Sequence, residues 1–219
     1  MLAVLGVLKT AEGLRIKAEM LSWLEKEYDV FCCEQDPPGR LYEFPAISCA
    51  LHLAVRMDEP VLYIHTKGAG NAVPLNYKDY MMHPTVRYPT EATPEDCQRV
   101  VRLMWQTEFT GSRLQKYIDV LQTNEPRVAC PFSGKEKITW QNAWIINTSG
   151  AKELLKTFHL SSDRYYYEWL FNKSIIKVIP LVLGNCNAYD EPHHKTMWDK
   201  IWTYYKYTWK DILKAPSVK

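Results

Sequence analysis

Three short apolar runs, Met1–Leu8, Tyr28–Cys33 and Val61–Ile64, are separated by two stretches whose apolar residues recur at helical spacing. The first stretch, Gly13–Tyr28, sets Leu14, Ile16, Ala18, Leu21 and Leu24 among Arg15, Lys17, Glu19, Glu25 and Lys26. The second, Pro45–Met57, opens with a proline, which the first turn of a helix tolerates. A short run that is apolar throughout suits a strand covered on both faces. Parallel neighbours need a crossover between them, and a helix supplies it. Strand, helix, strand, helix, strand is therefore the opening of an open, mostly parallel sheet. Asp36-Pro-Pro-Gly39 closes the second strand with turn chemistry.

Beyond Ile64 the pattern loosens. Gly68–Pro94 carries four prolines with glycine, asparagine and several aromatics, and reads as a long ordered loop of the kind that serves as a lid. Helices are predicted over Pro94–Trp105, Gly111–Leu121, Gly150–Phe158 and Arg164–Asn172, and strands over Arg127–Pro131, Asn142–Ile146 and Ile175–Leu183. From Pro192 the chain is rich in Trp, Tyr and Lys and reads as a helix lying across the body. The expected fold class is α/β: a single domain over 1–219 with an open, mixed, mostly parallel sheet flanked by helices. Its parts are a βαβαβ half over 1–70, a second half over 95–190 and an aromatic tail over 191–219.

Composition narrows the function classes. A hydrophobic fraction of 47% over 219 residues supports a core. A net charge of +2 argues against a dedicated nucleic-acid binder, whose footprint is a strongly basic face. The 14 tyrosines and 8 tryptophans suit grooves that hold sugars or bases, and suit half-buried core positions equally. Cys32, Cys33, Cys49, Cys97, Cys130 and Cys186 include no CxxC, which counts against structural zinc and fits reduced thiols in a cytoplasmic protein. Met1–Leu8 has no basic flank before it, so it reads as a first strand rather than a signal peptide. No apolar run approaches the ~20 residues of a membrane span, so a soluble protein is expected.

The sequence most charged with chemistry is Tyr63-Ile-His-Thr-Lys-Gly-Ala-Gly70, where a buried strand runs into a glycine-bearing loop. Ligands of open α/β sheets bind beyond the carboxyl ends of strands. Lys67 there offers a point charge to phosphate, and Gly68 lets backbone come close. The lysine precedes the glycines, so this is not a Walker loop. An alternative is a plain turn after a strand. Asp190-Glu-Pro-His-His194 gathers metal-ligand types, with Asp190, His193 and His194 as candidates, and reads otherwise as a solvated turn.

His65-Thr-Lys-Gly68, Trp105 in a helix, Trp140-Gln-Asn-Ala-Trp144 and Arg164-Tyr-Tyr-Tyr-Glu-Trp169 follow one another in an order that resembles small bacterial and viral glycosyltransferase-like proteins of the GT-A, nucleotide-diphospho-sugar transferase fold. The resemblance covers roughly residues 1–190. Gln141 departs from it where glycine is usual, and Ala143 where an aromatic is. No Asp-X-Asp occurs, although that family commonly holds a divalent metal with one.

The resemblance implies a UDP- or GDP-sugar donor, a saccharide acceptor such as a surface polysaccharide, and a divalent cation (Mn2+ or Mg2+) as possible cofactor. It implies donor contacts from Thr10, Asp36, His65, Thr66, Lys67 and Gly68, with Lys67 neutralising charge on the leaving diphosphate. Trp140, Asn142, Trp144 and Arg164 fall on the acceptor side, and Trp140 or Trp144 could stack on a sugar ring or fill the core. Glu168 and Asp163 are the candidates for the carboxylate that takes the acceptor's proton. Each has a structural alternative: Asp163 as a helix N-cap, and Glu168 as the ion-pair partner of Arg164 one helical turn away. Two further readings stand beside the enzyme: a non-catalytic binding module on the same fold, and a metal-dependent hydrolase using His65, Asp190, His193 and His194.

Overall fold

The first strand, β1 (Leu2–Leu8), is almost wholly buried and lies one strand in from the edge of a sheet. A computed structural model describes residues 1–37, 43–66, 94–133, 137, 143–161, 164–167, 170–172 and 174–184 of the chain. After β1 come α1 (Ala11–Leu24), β2 (Asp29–Gln35), α2 (Phe44–Met57) and β3 (Val61–His65). Then follow α3 (Pro94–Glu108), α4 (Gly111–Leu121), β4 (Arg127–Ser133), β5 (Trp144–Ile146), α5 (Thr148–Leu155), a 3-10 turn (Arg164–Tyr167) and β6 (Lys177–Gly184).

The six strands form one mixed sheet in the order β2-β1-β3-β5-β4-β6. β1 pairs in parallel with β2 and β3, β4 pairs in parallel with β6, and β5 runs antiparallel between β3 and β4. The chain is thus an α/β domain with a mixed sheet flanked by helices.

The two faces of that sheet carry separate cores. Ala3, Leu5, Leu62 and Ile64 point toward α1, α3 and α4, with Trp105 and Phe109 filling that side. Leu2, Val4, Val61 and Tyr63 point toward α2 and α5, with Trp144, Tyr167 and Phe171 filling the other. The alternation follows from the two-residue period of a strand.

Three expectations need correction. The face that α1 buries is Gly13, Ile16, Met20, Trp23 and Leu24, whereas Leu14 is exposed and so is Ala18. Spacings of three and four starting from Gly13 track the 3.6-residue turn, and the set starting from Leu14 does not. β2 is an edge strand, with Phe31 exposed, so its apolar run is only half covered. The expected helix over Arg164–Asn172 is a single 3-10 turn among the described residues. Among the described residues no helix is long and apolar enough to cross a membrane.

Candidate functional site

The chain leaves β1 through α1 on one face of the sheet to reach β2, then returns through α2 on the other face to reach β3 on the far side of β1. The strand order thus reverses at β1, and in open α/β sheets ligands bind at the carboxyl ends of the strands that flank such a reversal. His65 and Thr66 sit at that point, beside the turn Lys9–Thr10.

Local chemistry fixes this corner. The Thr66 amide donates to Gly6 O over 2.8 Å, continuing the β1–β3 ladder, and the buried Thr66 hydroxyl accepts from the Leu8 amide at 3.4 Å. The Thr10 hydroxyl accepts from the Gly13 amide at 2.9 Å and so caps α1. Gly13 is needed there, since a Cβ on it would stand 1.9 Å from Leu8 O. The result is a helix whose N-cap lies two residues beyond the end of β1, with its positive amide end at the carboxyl edge of the sheet.

On the α2 face, the Tyr63 hydroxyl donates to Glu43 Oε2 at 2.8 Å, and Glu43 Oε1 lies 4.0 Å from His65 Nε2. Glu43 is the residue immediately before α2. Burial, and then the Glu43 carboxylate, push the Tyr63 phenol well above its ordinary range, so it stays a donor. The His65 ring stacks on Tyr63 at 6.1 Å and meets the edge of Trp105 at 5.4 Å. Spacing alone could not reveal Glu43, because its partners belong to a strand some twenty residues on.

Of the residues expected to contact the donor, the structure brings together Thr10, His65 and Thr66, with both hydroxyls engaged as described. Asp36, beyond β2, is well exposed and pairs with Lys9 at 2.8 Å. Lys67 and Gly68 follow directly in the chain but lie outside the described residues, as do Asp163, Glu168, Trp140, Asn142, Asp190, His193 and His194. Trp144 opens β5 and is fully buried, its ring against Tyr63 at 4.9 Å and Phe171 at 5.7 Å, so it fills the core beneath the edge. Arg164 begins the 3-10 turn. Among the described residues no three His, Cys, Asp or Glu side chains gather into a metal-binding group. Comparison with protein-family models, curated proteins and solved structures finds no match to this chain.

Proposed function

We propose that this chain binds a UDP- or GDP-sugar with its diphosphate in the β1/β3 crevice and transfers the sugar to a saccharide acceptor, as a glycosyltransferase of GT-A type. The observation that carries the reading is the coincidence of the topological switch point with His65 and Thr66, from which the sequence runs straight into Lys67 and Gly68. When the sugar–phosphate bond breaks, negative charge grows on the departing diphosphate. A fixed ammonium there favours the transition state over the bound donor. Lys67 is assigned that role, and Gly68 close backbone approach. The amino end of α1 adds its dipole at the same edge.

Thr10 and Thr66 shape the corner through their hydrogen bonds. Asp36 is assigned to the nucleotide base. Glu168 or Asp163 takes the acceptor hydroxyl's proton as the new glycosidic bond forms. Trp140, Asn142 and Arg164 are assigned to the acceptor side. Asp190, His193 and His194 are the candidates for a divalent cation.

The reading is tested with a thermal-shift and calorimetry panel of UDP, GDP and their sugars, with and without Mn2+. One nucleotide class is expected to stabilise the chain, and Lys67→Ala to weaken its binding about tenfold or more, near 1.4 kcal/mol. Unchanged affinity in that variant overturns the assignment. The missing Asp-X-Asp favours a second reading, a binding module without turnover. Nucleotide-sugar binding with neither hydrolysis nor transfer of the donor selects it.

A further inference from the structure

Cys33 of β2 lies level with Gly6 of β1, and Gly6 lies level with His65 of β3, so the three form one row across the parallel half of the sheet. The middle member has no side chain. A Cβ built on Gly6 would stand 3.0 Å from Ala46 Cβ and 3.4 Å from His65 Cβ, so glycine lets α2 sit down on this row. Along α2, Glu43, Ala46 and Cys49 succeed one another at three-residue steps, which run along one side of a helix. The Glu43 end of that line meets Tyr63. The Cys49 end lies toward Cys33: both half-buried residues pack against the apolar cluster under α2, and each thiol shifts the ionisation of the other.

We propose that Cys33 and Cys49 are a redox-active dithiol, which a low-molecular-weight disulfide such as oxidised glutathione converts reversibly into a cross-link pinning α2 to the edge strand β2. The neighbouring Cys33 thiol holds Cys49 below the ordinary thiol range, at about 7, and Cys33 itself is pushed up. Cys49 is therefore the attacking group. Its thiolate attacks one sulfur of the reagent, the reagent's S–S bond breaks, and one glutathione thiolate leaves. Cys33 then loses its proton to solvent and attacks Cys49 Sγ, releasing the second glutathione. Two protein thiols are oxidised and one reagent disulfide is reduced to two thiols. Cys32, next in the chain, is exposed on the edge strand and serves as the internal control.

Because Glu43 at the head of α2 meets Tyr63 and His65, the cross-link fixes the helix beside the carboxyl end of β3. The proposal does not depend on sugar transfer. The reduced full-length chain is treated with oxidised glutathione, digested with trypsin without reduction, and read by mass spectrometry. The peptides ending at Arg40 and Arg56 are expected to be joined in the wild type and in Cys32→Ser, and separate in Cys33→Ser and Cys49→Ser. Differential alkylation of the wild type over a glutathione series removes any concern about variant folding. Cys33 and Cys49 should lose reactivity at one shared midpoint while Cys32 stays reactive. A link that survives in Cys33→Ser, a Cys49 that stops at the glutathione adduct, or thiols unchanged in fully oxidised buffer each overturn the proposal.

Discussion

The Tyr63 hydroxyl reaches across from the middle of β3 to the carboxylate of Glu43, 2.8 Å away at the head of α2. One hydrogen bond thus joins the sheet to the helix that covers it, beside the point where the strand order reverses. It is charge-assisted, and its donor sits in a fully buried ring.

Tyr63→Phe removes this donor from the Glu43 carboxylate. Because Glu43 keeps partial access to water, the expected loss is about 1–2 kcal/mol in urea unfolding. Glu43→Gln keeps an acceptor and should cost less.

Alkaline pH should destabilise the chain through Tyr63 and Tyr28. Burial pushes both phenols above the ordinary value of 10.0, and the Tyr28 hydroxyl donates to Phe109 O at 2.6 Å. A raised folded value means the native state holds its proton while the unfolded chain gives it up. The contribution is whole below pH 10 and declines as pH rises above it, by about 1.4 kcal/mol per pH unit for each tyrosine. Urea titrations between pH 8 and pH 11 check this, and Tyr63→Phe and Tyr28→Phe should each remove one share of the slope.

Gly13→Ala should be strongly destabilising. The added methyl would meet backbone, Leu8 O at 1.9 Å, which cannot rotate away. A cost of about 3 kcal/mol is expected, against roughly 1 kcal/mol gained in helix propensity. A midpoint equal to the wild type's would refute the close approach of β1 and α1.

Asn147 should prove the least replaceable polar residue of the second half. Its Oδ1 accepts from the amides of Gly150 at 2.8 Å and Arg127 at 3.0 Å, and its Nδ2 donates to Glu125 O at 2.8 Å and Thr123 O at 3.1 Å. Asn147→Ala loses a helix cap and strands buried groups, for about 3 kcal/mol. Asn147→Asp keeps the cap but turns a carboxylate oxygen toward two carbonyls. Thermal melts should show both variants lowered, and an unshifted Asn147→Asp would mean the Nδ2 bonds are not made.

How legible all this was in the sequence depended on the range of the cause. α2 was readable almost to the residue, because Pro45 and a strong apolar period act locally. α4 (Gly111–Leu121) agrees with its expected span for the same reason. α1 was recognised as a helix with Ile16 and Leu24 rightly on its buried face, but Leu14 and Ala18 wrongly so. The buried line starts at Gly13, which only its contact with Leu8 explains. The strand after β4 was expected over Asn142–Ile146, and the cap at Asn147 was missed although Asn-Thr-Ser-Gly is an N-terminal signal. In the crevice, the strand end at His65–Thr66 was visible from composition. Glu43 was not, nor was the meeting of Cys33 with Cys49.

The residues alone determined strands β1 to β6 and helices α1 to α5, though not the 3-10 turn at Arg164–Tyr167, and that a histidine and a threonine close a buried strand ahead of a lysine. Those outcomes follow from apolar period, capping and turn chemistry acting over a few residues. Only the tertiary structure decided the strand order, the reversal of β5, and the row that aligns Cys33, Gly6 and His65. Register and order are set by burial between segments far apart in the chain, and no local pattern records which surface a strand will find.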